Sequence, residues 1–154
     1  MSNKIFLKPI DILSSAEFVA IQIQKDFPVD DNIKLIYGVP RGGVSALFAI
    51  LRYLPDHILP TDVIEDADII VDDIIDSGNT KNKCLSKNPN AKFYALIDKE
   101  KNPKDQSWYI FPWEENELAS IEDAFIRLRQ FYNIDIDENI FKYLIEELLL
   151  KLKS

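Results

Sequence analysis

The chain has 154 residues, 47% of them hydrophobic, and a formal net charge of −8. That length and apolar content suit one domain with a real core, and the acidic balance argues against a general nucleic-acid binder or an anionic membrane surface, both of which favour basic patches. A single cysteine excludes an internal disulfide framework and fits a reducing, cytoplasmic setting.

The N-terminal apolar patch is interrupted by Lys8 and Pro9 and has neither signal-peptide anatomy nor the length to span a membrane. Ser14-Ser15-Ala16-Glu17 has the form of a capping box, and Ala16, Val19, Ala20, Ile23 and Phe27 recur at helical spacing. A helix is therefore expected to run to about Asp26 and to stop before Pro28. Residues 33–37 form a first strand candidate, followed by Gly38-Val39-Pro40-Arg41-Gly42-Gly43-Val44 and a helix over residues 44–53. Glycines between a strand and a helix let the backbone approach a ligand, the helix start offers N–H groups, and Arg41 offers a planar fork for phosphate oxygens. Alone, the same residues also suit an ordinary turn with an exposed arginine. Residues 54–68 are short and uneven, with Pro55, Pro60, an apolar patch at His57-Ile58-Leu59 and several acids. His57, the sole histidine, is expected at the surface or at a strand end.

The most informative stretch is Ile69-Ile70-Val71-Asp72-Asp73-Ile74-Ile75-Asp76-Ser77-Gly78-Asn79-Thr80. A β-branched run reads as a buried strand, and it ends in two adjacent carboxylates, a third, and a turn rich in hydroxyl and backbone N–H groups at a helix start. Such a turn can hold a phosphate. Carboxylates beside it would repel the ligand unless they face its hydroxyl groups and a divalent cation instead, a description that a sugar phosphate with free hydroxyls meets. The plainer alternative is a strand followed by an acidic helix start capped by Asp76, but capping leaves Asp72 and Asp73 unexplained. Beyond it, residues 80–86 read as a short helix with Cys84 packed inside, and residues 92–97 as a strand. The alternation of strands and helices implies a parallel sheet with right-handed crossovers, an α/β core flanked by helices.

Residues 98–105 form a charged loop, and Trp108-Tyr109-Ile110-Phe111-Pro112-Trp113-Glu114 an aromatic cluster that can serve as an edge strand. Ser120-Ile121-Glu122-Asp123 starts a capped helix to about Tyr132, and a final helix from Asp137 has a wide apolar face. This C-terminal helical extension, residues 118–154, is expected either to pack on the single domain or to make a homodimer contact.

Val71-Asp72-Asp73-Ile74-Ile75-Asp76-Ser77-Gly78-Asn79-Thr80 resembles the phosphoribosyl-pyrophosphate signature of the type I phosphoribosyltransferases. The resemblance implies that Asp72 and Asp73 face the ribose hydroxyls directly or through Mg²⁺, and that Asp76, Ser77, Gly78, Asn79 and Thr80 wrap the 5′-phosphate. It places the pyrophosphate at Arg41, Gly42 and Gly43, matching the Arg-Gly-Gly of the purine branch, with a cis peptide anticipated near Pro40-Arg41. Trp108…Pro112-Trp113-Glu114 is similar to the purine-pocket stretch of hypoxanthine and xanthine-guanine enzymes. By that match Trp108 stacks on the base, the Tyr109 backbone reads its edge, and a lysine at the preceding strand end, Lys99 in preference to Lys101, contacts it.

The implied function is transfer of ribose 5-phosphate from phosphoribosyl pyrophosphate to a purine, releasing pyrophosphate, with Asp76 handling the purine proton. The main departure from the family is in residues 54–68, too few for the long hood that closes such sites. A binding or regulatory protein without efficient transfer, or a relative passing the ribosyl group to water, is the alternative that this shortening raises.

Overall fold

The computed structural model describes residues 3–114, 126, 129–130, 135 and 137–153. It divides into two compact units, Pro9–Gln106 and, joining both chain ends, Met1–Lys8 with Ser107–Ser154.

In Pro9–Gln106, helix α1 (Pro9–Asp26) precedes strand β2 (Lys34–Gly38), helix α2 (Gly42–Leu51), strand β3 (Ile58–Pro60), strand β4 (Ile69–Ile75), helix α3 (Asn79–Lys87) and strand β5 (Lys92–Asp98). The other unit contributes strands β1 (Lys4–Phe6) and β6 (Trp108–Ile110) and helix α4 (Glu138–Lys153). Helix α1 begins a turn and more before the capping-box sequence. Pro9 is its first residue, where the missing N–H is harmless and the fixed φ is already helical. Ile12, Ala16, Val19, Ala20 and Ile23 line its buried face, each larger apolar side chain adding about 1.5–3 kcal/mol of burial.

All four strands of the sheet are parallel, in the order β3-β2-β4-β5. From β2 the chain crosses to one neighbour through α2, and from β4 it crosses the opposite way through α3. Right-handed crossovers running in opposite directions place the two helices on opposite faces. Accordingly, Cys84 of α3 packs with Ile70, Val39, Ala67 and Ala91, while Gly43, Ala46, Leu47 and Ile50 are the buried positions of α2. Ile36, Ile69, Ile70 and Val71 are fully buried, as central parallel strands covered on both faces require. The strand order reverses direction between β2 and β4, and the crevice beyond their C-terminal ends is where open α/β sheets bind ligands.

The chain passes from β3 to β4 through residues 61–68, with one 3₁₀ turn at Ile64–Asp66. Buried Asn88 fastens that passage: its side-chain amide donates to the carbonyls of Ile64 (2.8 Å) and Ala67 (2.7 Å). The Asp68 carboxylate accepts from the Leu35 N–H at 2.9 Å and fixes the start of β4 against β2. His57, expected at the surface or a strand end, precedes β3 but has both ring nitrogens buried and without a hydrogen-bond partner among the described residues.

In the other unit β1 and β6 pair in parallel, Lys4 opposite Trp108 and Phe6 opposite Ile110. The Gln130 side chain accepts from the Phe6 N–H and donates to the Lys4 carbonyl. Asp137 caps α4 by accepting from the N–H groups of Asn139 and Ile140. The helix expected from Ser120 to Tyr132 lies mostly outside the described residues, which include helical Ile126, Arg129 and Gln130. No helix among the described residues is long and apolar enough to cross a membrane.

Candidate active site

Strand β4 delivers the acids. Asp72 is buried at 7% exposure, whereas Asp73 is half-buried. Each carboxylate accepts from the next backbone N–H: Asp72 from Asp73 and Asp73 from Ile74, both at 2.8 Å. Loss of hydration pushes the Asp72 carboxyl up to about 7; the Asp73 N–H opposes the rise and the neighbouring Asp73 charge adds to it.

Past the strand, Asp76 and Ser77 lead to Gly78, whose φ of 86° is left-handed and which stands immediately before α3. The Ser77 hydroxyl accepts from the Asn79 N–H at 3.3 Å. The first N–H groups of a helix have no intrahelical partner, so residues 78–81 present donors suited to an anion. Residues 72–81 enclose a pocket of about 270 Å³ with Val39, Pro40 and Gly42 from the β2–α2 turn.

That turn is shaped by close backbone approach. The Pro40-Arg41 peptide is cis, as the resemblance anticipated. A Cβ on Gly42 would sit 1.9 Å from Asp73 Oδ2, and one on Gly43 would sit 2.8 Å from the Val71 carbonyl oxygen. Neither position admits a side chain without moving β4 or its acids. The two glycines therefore bring the start of α2 directly against the carboxylates. Gly42 lines the pocket and Gly43 lies buried beneath the turn. Arg41 is exposed beside it and makes no side-chain cap to α2.

Asp76 is largely exposed and pairs with Lys99, whose Nζ lies 3.3 Å from Asp76 Oδ1 in the 3₁₀ turn Lys99–Lys101 after β5. Lys101, the other candidate at this strand end, lines a separate cavity of about 400 Å³ with Asp26 and Asp98. Trp108 and Tyr109 lie on β6 in the other unit; Trp108 is 55% exposed, with Lys4 Nζ 5.2 Å from its ring centre. Phe111 is buried and stacks on Trp113 at 5.0 Å. Cys84 is buried, and burial raises its thiol pKa, consistent with a packing role.

Two further residues belong to the pocket region. Lys81 lines the pocket and pairs with Glu100 at 2.9 Å. Its place directly after Thr80, in the first turn of α3, was the available signal. Nothing local marks Glu100, which reaches the loop only through the fold.

No protein-family profile matches this sequence, and no curated protein does. Solved structures do match. A purine phosphoribosyltransferase from Pyrococcus horikoshii aligns over 77% of this chain and 98% of its own, at 18% identity and a TM-score of 0.58. A protein from Neisseria gonorrhoeae with bound ppGpp aligns over 82% and 96%, at 13% identity and a TM-score of 0.56. A Bacillus anthracis hypoxanthine-guanine phosphoribosyltransferase aligns over 73% and 87%, at 20% identity and a TM-score of 0.50. This chain has the type I phosphoribosyltransferase fold: a parallel sheet flanked by helices, with a C-terminal helix.

Proposed function

We propose that the protein is a purine phosphoribosyltransferase that moves ribose 5-phosphate from phosphoribosyl pyrophosphate to N9 of a purine base and releases pyrophosphate. The observation that carries this reading is the convergence, in one pocket at the C-terminal ends of β2 and β4, of Asp72, Asp73, the 76–80 loop and the Gly42 turn. Two anion-suited backbone stretches flanking a carboxylate pair suit a sugar carrying phosphate at both ends and hydroxyls between.

The C1′–O bond to pyrophosphate breaks as the C1′–N9 bond forms, and the N9 proton is lost. Positive charge grows on the ribose and negative charge on the leaving group, so the site must answer both. Asp72 and Asp73 hold the ribose hydroxyls, residues 76–80 anchor the 5′-phosphate, and Arg41 with the Gly42 and Gly43 amides receives the pyrophosphate. Asp76 takes the purine proton, with Lys99 beside it to balance its charge and meet the base. Base stacking by Trp108 and edge recognition by the Tyr109 backbone are what the resemblance implies for the purine.

Asp72 and Asp73 also fit Mg²⁺, which is commonly held by one or two carboxylates and completes its shell with substrate phosphates. Among the described residues no group of three or more His, Cys, Asp or Glu side chains that could hold a metal ion is found. When bound there, Mg²⁺ would neutralise the pyrophosphate charge. Purine salvage in the cytoplasm by a homodimer completes the proposal.

The second reading is a protein that binds a purine nucleotide or the donor without transferring it. It is favoured by residues 61–68, which run from β3 to β4 through one 3₁₀ turn and leave no long hood over the pocket. The Neisseria gonorrhoeae neighbour, crystallised with bound ppGpp, shows the same fold holding a nucleotide. Replacing Asp76 by Asn separates the readings. For a transferase, kcat falls by roughly a hundredfold or more while donor Kd changes little. Wild-type binding of donor or nucleotide with no turnover would support the second reading instead.

A further inference from the structure

We infer that Lys81 is a ligand of the 5′-phosphate and that Glu100 competes with the phosphate for its ammonium group. The inference rests on the sugar-phosphate reading above and extends it to two residues outside the signature. Lys81 projects from the first turn of α3 and lines the same pocket as the 76–80 loop. Its ammonium group, 2.9 Å from Glu100 Oε2, is a charge-assisted pair whose lysine side chain is 28% exposed. The other Glu100 oxygen lies against the loop, 2.9 Å from the point a Cβ on Gly78 would occupy. One carboxylate therefore stands against both the left-handed glycine of the loop and the adjacent cation.

The neighbouring residue repeats the arrangement with charges reversed. Lys99 pairs with Asp76 at the start of the loop, while Glu100 pairs with Lys81 at its end. The 3₁₀ turn after β5 thus clasps both ends of the loop by two ion pairs of opposite polarity. A phosphate dianion entering the loop meets Glu100 as a like charge and Lys81 as an opposite one. Exchange of partners follows: Lys81 releases the carboxylate and takes a phosphate oxygen, and Glu100 swings out to solvent, where it is already 45% exposed. Because the pair is partly exposed, the competition is modest and weakens with salt.

The test measures ribose 5-phosphate binding by calorimetry in wild type, Lys81→Met, Glu100→Gln and the double variant, with ribose as the unphosphorylated control. Lys81→Met is expected to weaken binding by about tenfold or more, the scale of a hydrogen bond to a charged group. Glu100→Gln is expected to tighten it by roughly two- to fivefold, the scale of an exposed ion pair, and this gain should vanish in the Lys81→Met background. Opposite signs separate ligand exchange from a pair that merely braces the loop, which would make both single variants weaken binding. Wild-type binding that is unchanged by Lys81→Met, or is weakened or unchanged by Glu100→Gln, overturns the inference alone. Absence of binding in all four proteins overturns it together with the proposed function.

Discussion

Replacing Asp72 by Asn removes a carboxyl that the fold holds at 7% exposure and whose pKa burial raises from 3.8 to about 7. Asparagine keeps an oxygen that can accept from the Asp73 N–H and carries no charge. Below pH 4 the carboxyl is protonated in both folded and unfolded chains, and the charge difference between wild type and variant has no effect. Between pH 4 and 7 the unfolded chain ionises while the folded one retains its proton, so wild-type stability falls as pH rises. Above pH 7 the loss is complete. About three pH units at roughly 1.4 kcal/mol each give an upper figure of about 4 kcal/mol, on the order of 10 °C in melting temperature for a chain of this size. Thermal unfolding of both proteins without divalent cations, from pH 4 to 9, should show Asp72→Asn gaining stability over wild type through pH 4 to 7 and holding a constant lead above it. Parallel curves across the range would refute the claim that Asp72 is a desolvated, proton-retaining group. The same carboxylate supports the proposed site, so the stabilised variant should lose donor affinity.

Gly42→Ala places a methyl group 1.9 Å from Asp73 Oδ2 and must displace that carboxylate or the turn; donor affinity should drop by roughly tenfold or more with folded far-UV circular dichroism retained, and unchanged affinity would contradict the close approach. Asn88→Ala strips the amide that bonds the Ile64 and Ala67 carbonyls; urea unfolding should show a loss of about 1–3 kcal/mol. Cys84, buried with a raised thiol pKa, should resist a thiol reagent in the native protein and react fully in urea; rapid native labelling would show that the face of α3 opens.

The core and the strand and turn that line the pocket were legible because their signals are local. A β-branched run, two acids, and a turn containing Gly78 specify a buried strand, its end and a helix start within a dozen residues, and β4 and α3 form there. Signals spread along the chain were harder to read. Ser14-Ser15-Ala16-Glu17 imitates a helix start inside α1, and the true start at Pro9 is marked by one residue. Strand β1 is three residues long, too short to show alternation, and its partner β6 begins only at Trp108. The Lys81–Glu100 pair and the buried ring nitrogens of His57 depend on where β5 and β3 dock, which no local pattern encodes. The raised pKa of Asp72 is likewise a property of its burial.

Phosphoribosyl transfer is tested most directly by pyrophosphate release from phosphoribosyl pyrophosphate with Mg²⁺, comparing guanine, xanthine, hypoxanthine, adenine and no base, with nucleotide products identified by mass. Release that depends on a purine and yields the matching nucleoside monophosphate is expected. Release without any base, or no release from a protein that binds the donor, would contradict it.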